Sequence, residues 1–130
     1  MAITSAICNS FKTEILTGTH NFTASSGNTF NLALYTSSAS LGASTTAYTT
    51  SNEVSGSGYT AKGNALTSVT PTLDSSTAVC DFADTSFTSA SFTARGCLIF
   101  NDSATGDPAV CAIDFGSDKT VTSGTFTIQF

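Results

Sequence analysis

Residues 96–100 read Gly-Cys-Leu-Ile-Phe, with no polar side chain among them. An extended chain sends successive side chains to opposite faces, so this run needs cover on both sides and predicts a central strand. The layout follows from that one requirement: a sheet with material packed above and below it. Further short strands surround it. Residues 29–36 set Phe30, Leu32 and Leu34 on one face and Asn31, Ala33 and Tyr35 on the other, the alternation of a half-buried strand. Residues 77–82, 86–92, 109–115 and 125–130 also read as strands, with Gly116-Ser117-Asp118-Lys119 as a polar turn between the last two. Another strand is predicted over 65–69, ended by Pro71, with shorter pieces at 46–50 and around Tyr59, which Gly56, Gly58 and Gly63 bracket. Seven or eight short strands with frequent turns predict a mainly β fold, an antiparallel β-sandwich or jelly-roll-like domain spanning residues 1–130.

Two segments depart from this pattern. Residues 2–17 carry Ile3, Ile7, Phe11 and Ile15 at steps of four, with Leu16 beside them and Gly18 as C-cap, which predicts one short N-terminal α-helix, a helical arm over 1–18. Residues 37–57 are mostly Ser, Thr, Ala and Gly, with Leu41, Tyr48 and Val54 as the large anchors. A long loop is predicted there, of the kind that makes contacts.

Charge narrows the partners. The chain has 130 residues, 4 Lys and Arg against 9 Asp and Glu, and a net charge of −5. Nucleic-acid binding needs clustered cations, so no nucleic-acid partner is expected. Neither an apolar run long enough to span a bilayer nor a secretory leader is legible, so no membrane partner is expected and synthesis in a cytoplasm is. Charged residues are 10% of the chain while Ser and Thr make up about a third. Hydroxyls cost less to desolvate than ionised groups, so such a surface tolerates burial against other proteins. The 40% of apolar residues, 10 Phe among them, argue against disorder.

Cys8, Cys80, Cys97 and Cys111 are spaced too widely for a metal-binding CxxC pair, and reduced core cysteines are expected. A hairpin loop over 101–108 centred near Ala104 would set Cys97 opposite Cys111, with a cross-strand disulfide as the alternative. No catalytic, cofactor or metal site is expected. His20 is the single histidine and no GxSxG motif accompanies it, so it reads as a surface or turn residue. Asp102 and Asp107 faintly suggest a calcium loop but depart from EF-hand spacing and suit a hairpin tip. Asp81 with Asp84, and Asp114 with Asp118, read as solvated or capping aspartates; a glycosidase cleft would also want aromatic platforms, and the chain has no Trp.

Several stretches resemble a family of small proteins encoded by tailed bacteriophages: Ile7-Cys8-Asn9-Ser10-Phe11-Lys12, Leu32-Ala33-Leu34-Tyr35-Thr36, the run from Leu41 to Tyr48, Asn52-Glu53-Val54, Phe92-Thr93-Ala94-Arg95-Gly96 and Asp114-Phe115-Gly116. The resemblance spans nearly the whole chain and implies a non-enzymatic virion structural protein. It points to a capsid decoration (cement) subunit on the outer surface of the capsid, assembled in the host cytoplasm, with a tail- or fibre-associated receptor- or glycan-binding module as the alternative. The partners expected on the cement reading are the major capsid protein and further copies of the chain, as a homotrimer. The helix and the long loop would be its arms, so Ile3, Ile7, Phe11, Ile15, Leu41 and Tyr48 are the expected partner-binding residues.

Overall fold

A computed structural model describes residues 2–130. Its elements in chain order are β1 (Ala6–Ile7), α1 (Asn9–Leu16), β2 (Phe30–Tyr35), β3 (Asn64–Ala65), β4 (Ser68–Asp74), β5 (Thr77–Phe82), β6 (Thr85–Asn101) and β7 (Ala109–Ile128). Five strands form one antiparallel sheet in the order β1-β7-β6-β2-β3, and β4 and β5 form a separate two-stranded ribbon. The chain is thus mainly β, with antiparallel sheets and one short helix, consistent with a β-sandwich.

The doubly apolar run sits where its composition requires. Residues 96–101 of β6 lie between β2 and β7, with Leu32 opposite Ile99 and Leu98 opposite Ala112. One face of this central sheet buries Phe30, Leu32, Leu34, Cys97 and Ile99 in a cluster with Phe82 and Phe87. The other buries Ala33, Tyr35, Leu98, Phe100 and Ala112 with Ile3, Cys8, Ala39 and Leu41. The alternation in β2 follows the predicted faces, yet every residue of the strand is buried, so the half-buried expectation is corrected. Much of the cover on the second face is the segment predicted as a long contact-making loop. Residues 37–57 lie down on this face through Ala39 and Leu41, while Val54 joins the cluster on the first face, and the segment is pinned by isolated bridges Ile3–Leu41, Tyr35–Glu53 and Ala47–Pro108. The short strand predicted at 46–50 amounts to that last bridge.

Three further expectations change. The helix begins at Asn9; residues before it are extended, Ile3 beside Leu41 and Ala6–Ile7 paired with β7. A stripe at steps of four does not by itself make a helix, and β-branched Ile3, Thr4 and Ile7 suit the sheet edge they pair with. The helix does end as read, with Gly18 at φ +76° directly after the Thr17 cap. The predicted turn at 116–119 is a bulge. Ala94 pairs with Lys119 and Gly96 with Asp114, so several residues of β7 loop out and the strand resumes against the same partner. Pro71 does not end β4 either: it falls between Val69 and Thr72, where the register shifts and no ladder N–H is needed.

The loop before β3 approaches β2 so closely at Gly63 (φ +65°) that a Cβ there would collide with the Leu32 carbonyl oxygen, whereas Gly106 (φ +85°) has open space. Gly106→Ala is expected to cost about 1 kcal/mol, from left-handed backbone strain alone. Gly63→Ala should cost clearly more, and urea unfolding of the two variants measures the difference. Leu98→Ala, at a fully buried position, should lose about 2–5 kcal/mol in the same assay.

Candidate functional site: an apolar groove between helix, ribbon and sheet

The ribbon is the least covered part of the molecule. Nearly all of β4 and β5 is exposed, including Leu73 at 72%, Val69 at 46% and Val79 at 41%, and only Phe82 at its end is buried. A two-stranded ribbon alone is marginal in water, so this one depends on Phe82, which packs against Phe22 and Phe30 with ring centroids 6.2 and 5.9 Å away. Phe22 in turn stacks on Phe30 at 4.2 Å and meets Phe11 of α1 edge-on at 6.0 Å. These rings hold helix, ribbon and sheet apart at a fixed spacing.

Between them lies a groove of about 530 Å³. Ile7, Phe11 and Ile15 line one wall, Val79 and Cys80 the other, and Val110, Cys111 and Ile113 of β7 the floor, with Phe130 at the mouth. Asp81 is its one charged lining residue. Ile7, Ile15, Val79 and Phe130 remain 40–50% exposed, and Leu16, at the end of α1, is 87% exposed. Exposed apolar side chains grouped in this way mark a contact surface, whereas scattered ones do not.

The six expected partner-binding residues therefore divide. Ile7, Phe11 and Ile15 meet in the groove. Ile3 and Leu41 are buried together on the opposite face of the sheet, at 6% and 5% exposure, and are not available to a partner. Tyr48 is also on that face, stacked on Phe100 at 4.8 Å. Its hydroxyl donates to Glu53 Oε2 at 2.6 Å, while Tyr59 Oη and the Lys62 backbone N–H donate to Oε1 at 2.6 and 2.8 Å. One carboxylate thus draws the connection from Tyr48 to Lys62 together on itself. The groove residues missed from sequence are those of the ribbon and Phe130, because nothing local signals that segments so far apart converge.

The other sequence candidates resolve into structural roles. His20 is buried, not at the surface. Asn101 Oδ1 accepts the Ser103 and Ala104 N–H groups, so its amide nitrogen faces His20 Nδ1 at 3.2 Å and donates to it. That fixes the proton on Nε2, 3.3 Å from Glu14 Oε1 on α1. The space between Asp102 and Asp107 is taken by the Lys62 ammonium, 2.7 and 2.8 Å from their oxygens, which hold its pKa well above the usual value. Asp84 Oδ1 accepts the Phe130 N–H at 3.0 Å. Asp114 accepts from Gly116 N–H and from Arg95, which pull its carboxyl below the usual range and shape the bulge. Among the described residues no group of three His, Cys, Asp or Glu is placed to hold a metal ion, and no helix is long and apolar enough to cross a membrane.

All four cysteines are free. The hairpin is centred one residue later than predicted, so Cys97 faces Ile113 and Cys111 faces Ile99. Burial pushes the Cys97 thiol up strongly; burial first, then the neighbouring Cys8 and Cys80, push Cys111 up to about 11. The chain matches no protein-family model, no curated protein and no solved structure.

In native protein at neutral pH, a water-soluble disulfide reagent should label exposed Cys80 first and buried Cys8 and Cys97 only after unfolding; peptide mapping reads the order. Cys111 holds its proton more tightly folded than unfolded, so its contribution to stability is complete below about pH 9 and is lost as pH rises towards 11. Tyr48, raised to about 12 by burial and by Glu53, extends the loss upward. Tm measured against pH should fall over this window, and Cys111→Ala should flatten its lower part.

Proposed function

We propose that this protein is a non-enzymatic structural subunit of a tailed-phage particle, a capsid decoration protein that bridges neighbouring capsid subunits. The observation that carries the reading is the groove: an apolar, half-exposed surface built on a rigid sheet. The low charge and hydroxyl-rich composition suit a protein that spends its life packed against others. A shell under internal pressure gains stability from any subunit that binds only its closed state, by mass action. Many copies, clustered as trimers, would multiply a weak contact into avidity.

On this proposal the contact surface is α1 and the ribbon, not the helix and the 37–57 loop, because that loop is committed to its own sheet. Removing residues before Gly18 would be a poor test, since it takes Ile3, Cys8 and Phe11 out of the core and β1 off β7. The point variants Ile15→Glu and Val79→Glu alter exposed positions and should leave the fold intact. Both should abolish attachment to particles lacking the native subunit, read by co-sedimentation. Stoichiometry in purified particles tests the assignment itself. One subunit per capsid protein, or a simple fraction of that, is expected. A few copies per particle would move the protein to a tail or fibre, and its absence from particles would overturn the reading.

A further inference from the structure

We infer that the groove takes a cationic apolar segment of a partner protein, one whose aliphatic side chains fill the groove while Lys or Arg residues reach its acidic rim. This deepens the proposed attachment role and rests on the same groove. The floor and walls call for aliphatic or aromatic side chains, since Asp81 is the one charged lining residue. The rim calls for cations. Asp81 stands in the wall, Asp84 is held at the mouth by its bond to the Phe130 N–H, and Asp74 ends β4 on the same ribbon. Among the described residues none of the three has a salt-bridge partner, and the ribbon carries no Lys or Arg. Elsewhere three carboxylates are compensated by cations: Lys62 neutralises Asp102 and Asp107, and Arg95 neutralises Asp114. Among the described residues five carboxylates lack a salt bridge, and three of them, Asp74, Asp81 and Asp84, belong to the ribbon and its end beside the groove, against the single unpaired Lys12 on α1; their Coulomb attraction favours a cation-bearing occupant.

The same charges argue against the other occupants. An anionic bilayer surface would be repelled by the rim and by the net charge of −5. A second copy of this chain offers two unpaired cations, Lys12 and Lys119, against five carboxylates that lack a salt bridge, so its net repulsion makes it a poorer electrostatic match than a cation-rich segment.

The test uses the purified full chain and two short peptides that differ only in charge, one alternating leucine with lysine and the other leucine with glutamate. Binding is read by fluorescence anisotropy, and its location by amide chemical shifts. The lysine peptide should bind at least about tenfold more tightly, with the preference shrinking as salt rises. Its shifts should centre on Ile7, Ile15, Val79 and Phe130. The double variant Asp81→Lys with Asp84→Lys should reverse the preference, and Val79→Ser should weaken both peptides without loss of fold by circular dichroism. Equal binding of the two peptides, binding of neither, or shifts away from the groove would overturn the inference. So would concentration-dependent dimerisation that buries the groove, which would identify a second copy as the occupant. Particle stoichiometry is independent of these results, so failure here leaves the attachment proposal standing on its own test.

Discussion

Everything in this molecule depends on a short piece of sheet, β2 with the adjoining parts of β6 and β7, being buried on both faces at once. Residues 96–101 of β6 have no exposed side, and neither has β2. A strand of that kind is stable only if two separate layers are recruited to it. The first is aromatic, Phe22, Phe82 and Phe11 packing over Phe30 and Ile99 with the helix and ribbon behind them. The second is the 37–57 segment with Ile3, locked by Tyr35, whose hydroxyl donates to the Thr49 carbonyl at 2.7 Å, and by the Glu53 cluster. The first layer is incomplete. The rings cover the centre of the sheet and leave Val110, Cys111 and Ile113 lining the bottom of an open groove.

How much of this was legible in the sequence depends on how local each signal is. Alternation in residues 30–35 and the apolar run at 96–100 are properties of neighbouring residues, and both strands and their faces follow from them. Gly116-Ser117-Asp118-Lys119 misleads because a bulge and a turn draw on the same residues: each needs a left-handed glycine, here Gly116 at φ +81°, and an aspartate that accepts a nearby N–H. The stripe Ile3, Ile7, Phe11, Ile15 is half helix and half sheet edge, a division decided by β7 and Leu41, far along the chain. The polar composition of 37–57 hides that its few large residues are enough to hold it down.

The candidate site was legible only in part, for the same reason. Ile7, Phe11 and Ile15 share a local pattern and do converge. Their opposite wall comes from residues 71–82 and the mouth from Phe130, and no spacing links these segments. The acidic rim is visible only once the ion pairs are known, because nine carboxylates scattered through the sequence look alike until Lys62 and Arg95 are seen to compensate three of them. Attachment, on this view, draws on the part of the fold that folding itself leaves unsatisfied.

A rigid sheet, buried on both faces, carries a ribbon and groove that the isolated chain does not cover. Native-state hydrogen exchange of the free protein, resolved by residue, separates the two parts by their opening free energies. Amides of β2 and of residues 96–101 and 110–113 should exchange only on global unfolding. Those of β4 and β5 should exchange faster by orders of magnitude, through local opening that leaves the sheet intact. Ribbon amides as protected as those of the central strands would overturn this division, since the ribbon would then be part of the core, not an exposed and separately opening unit.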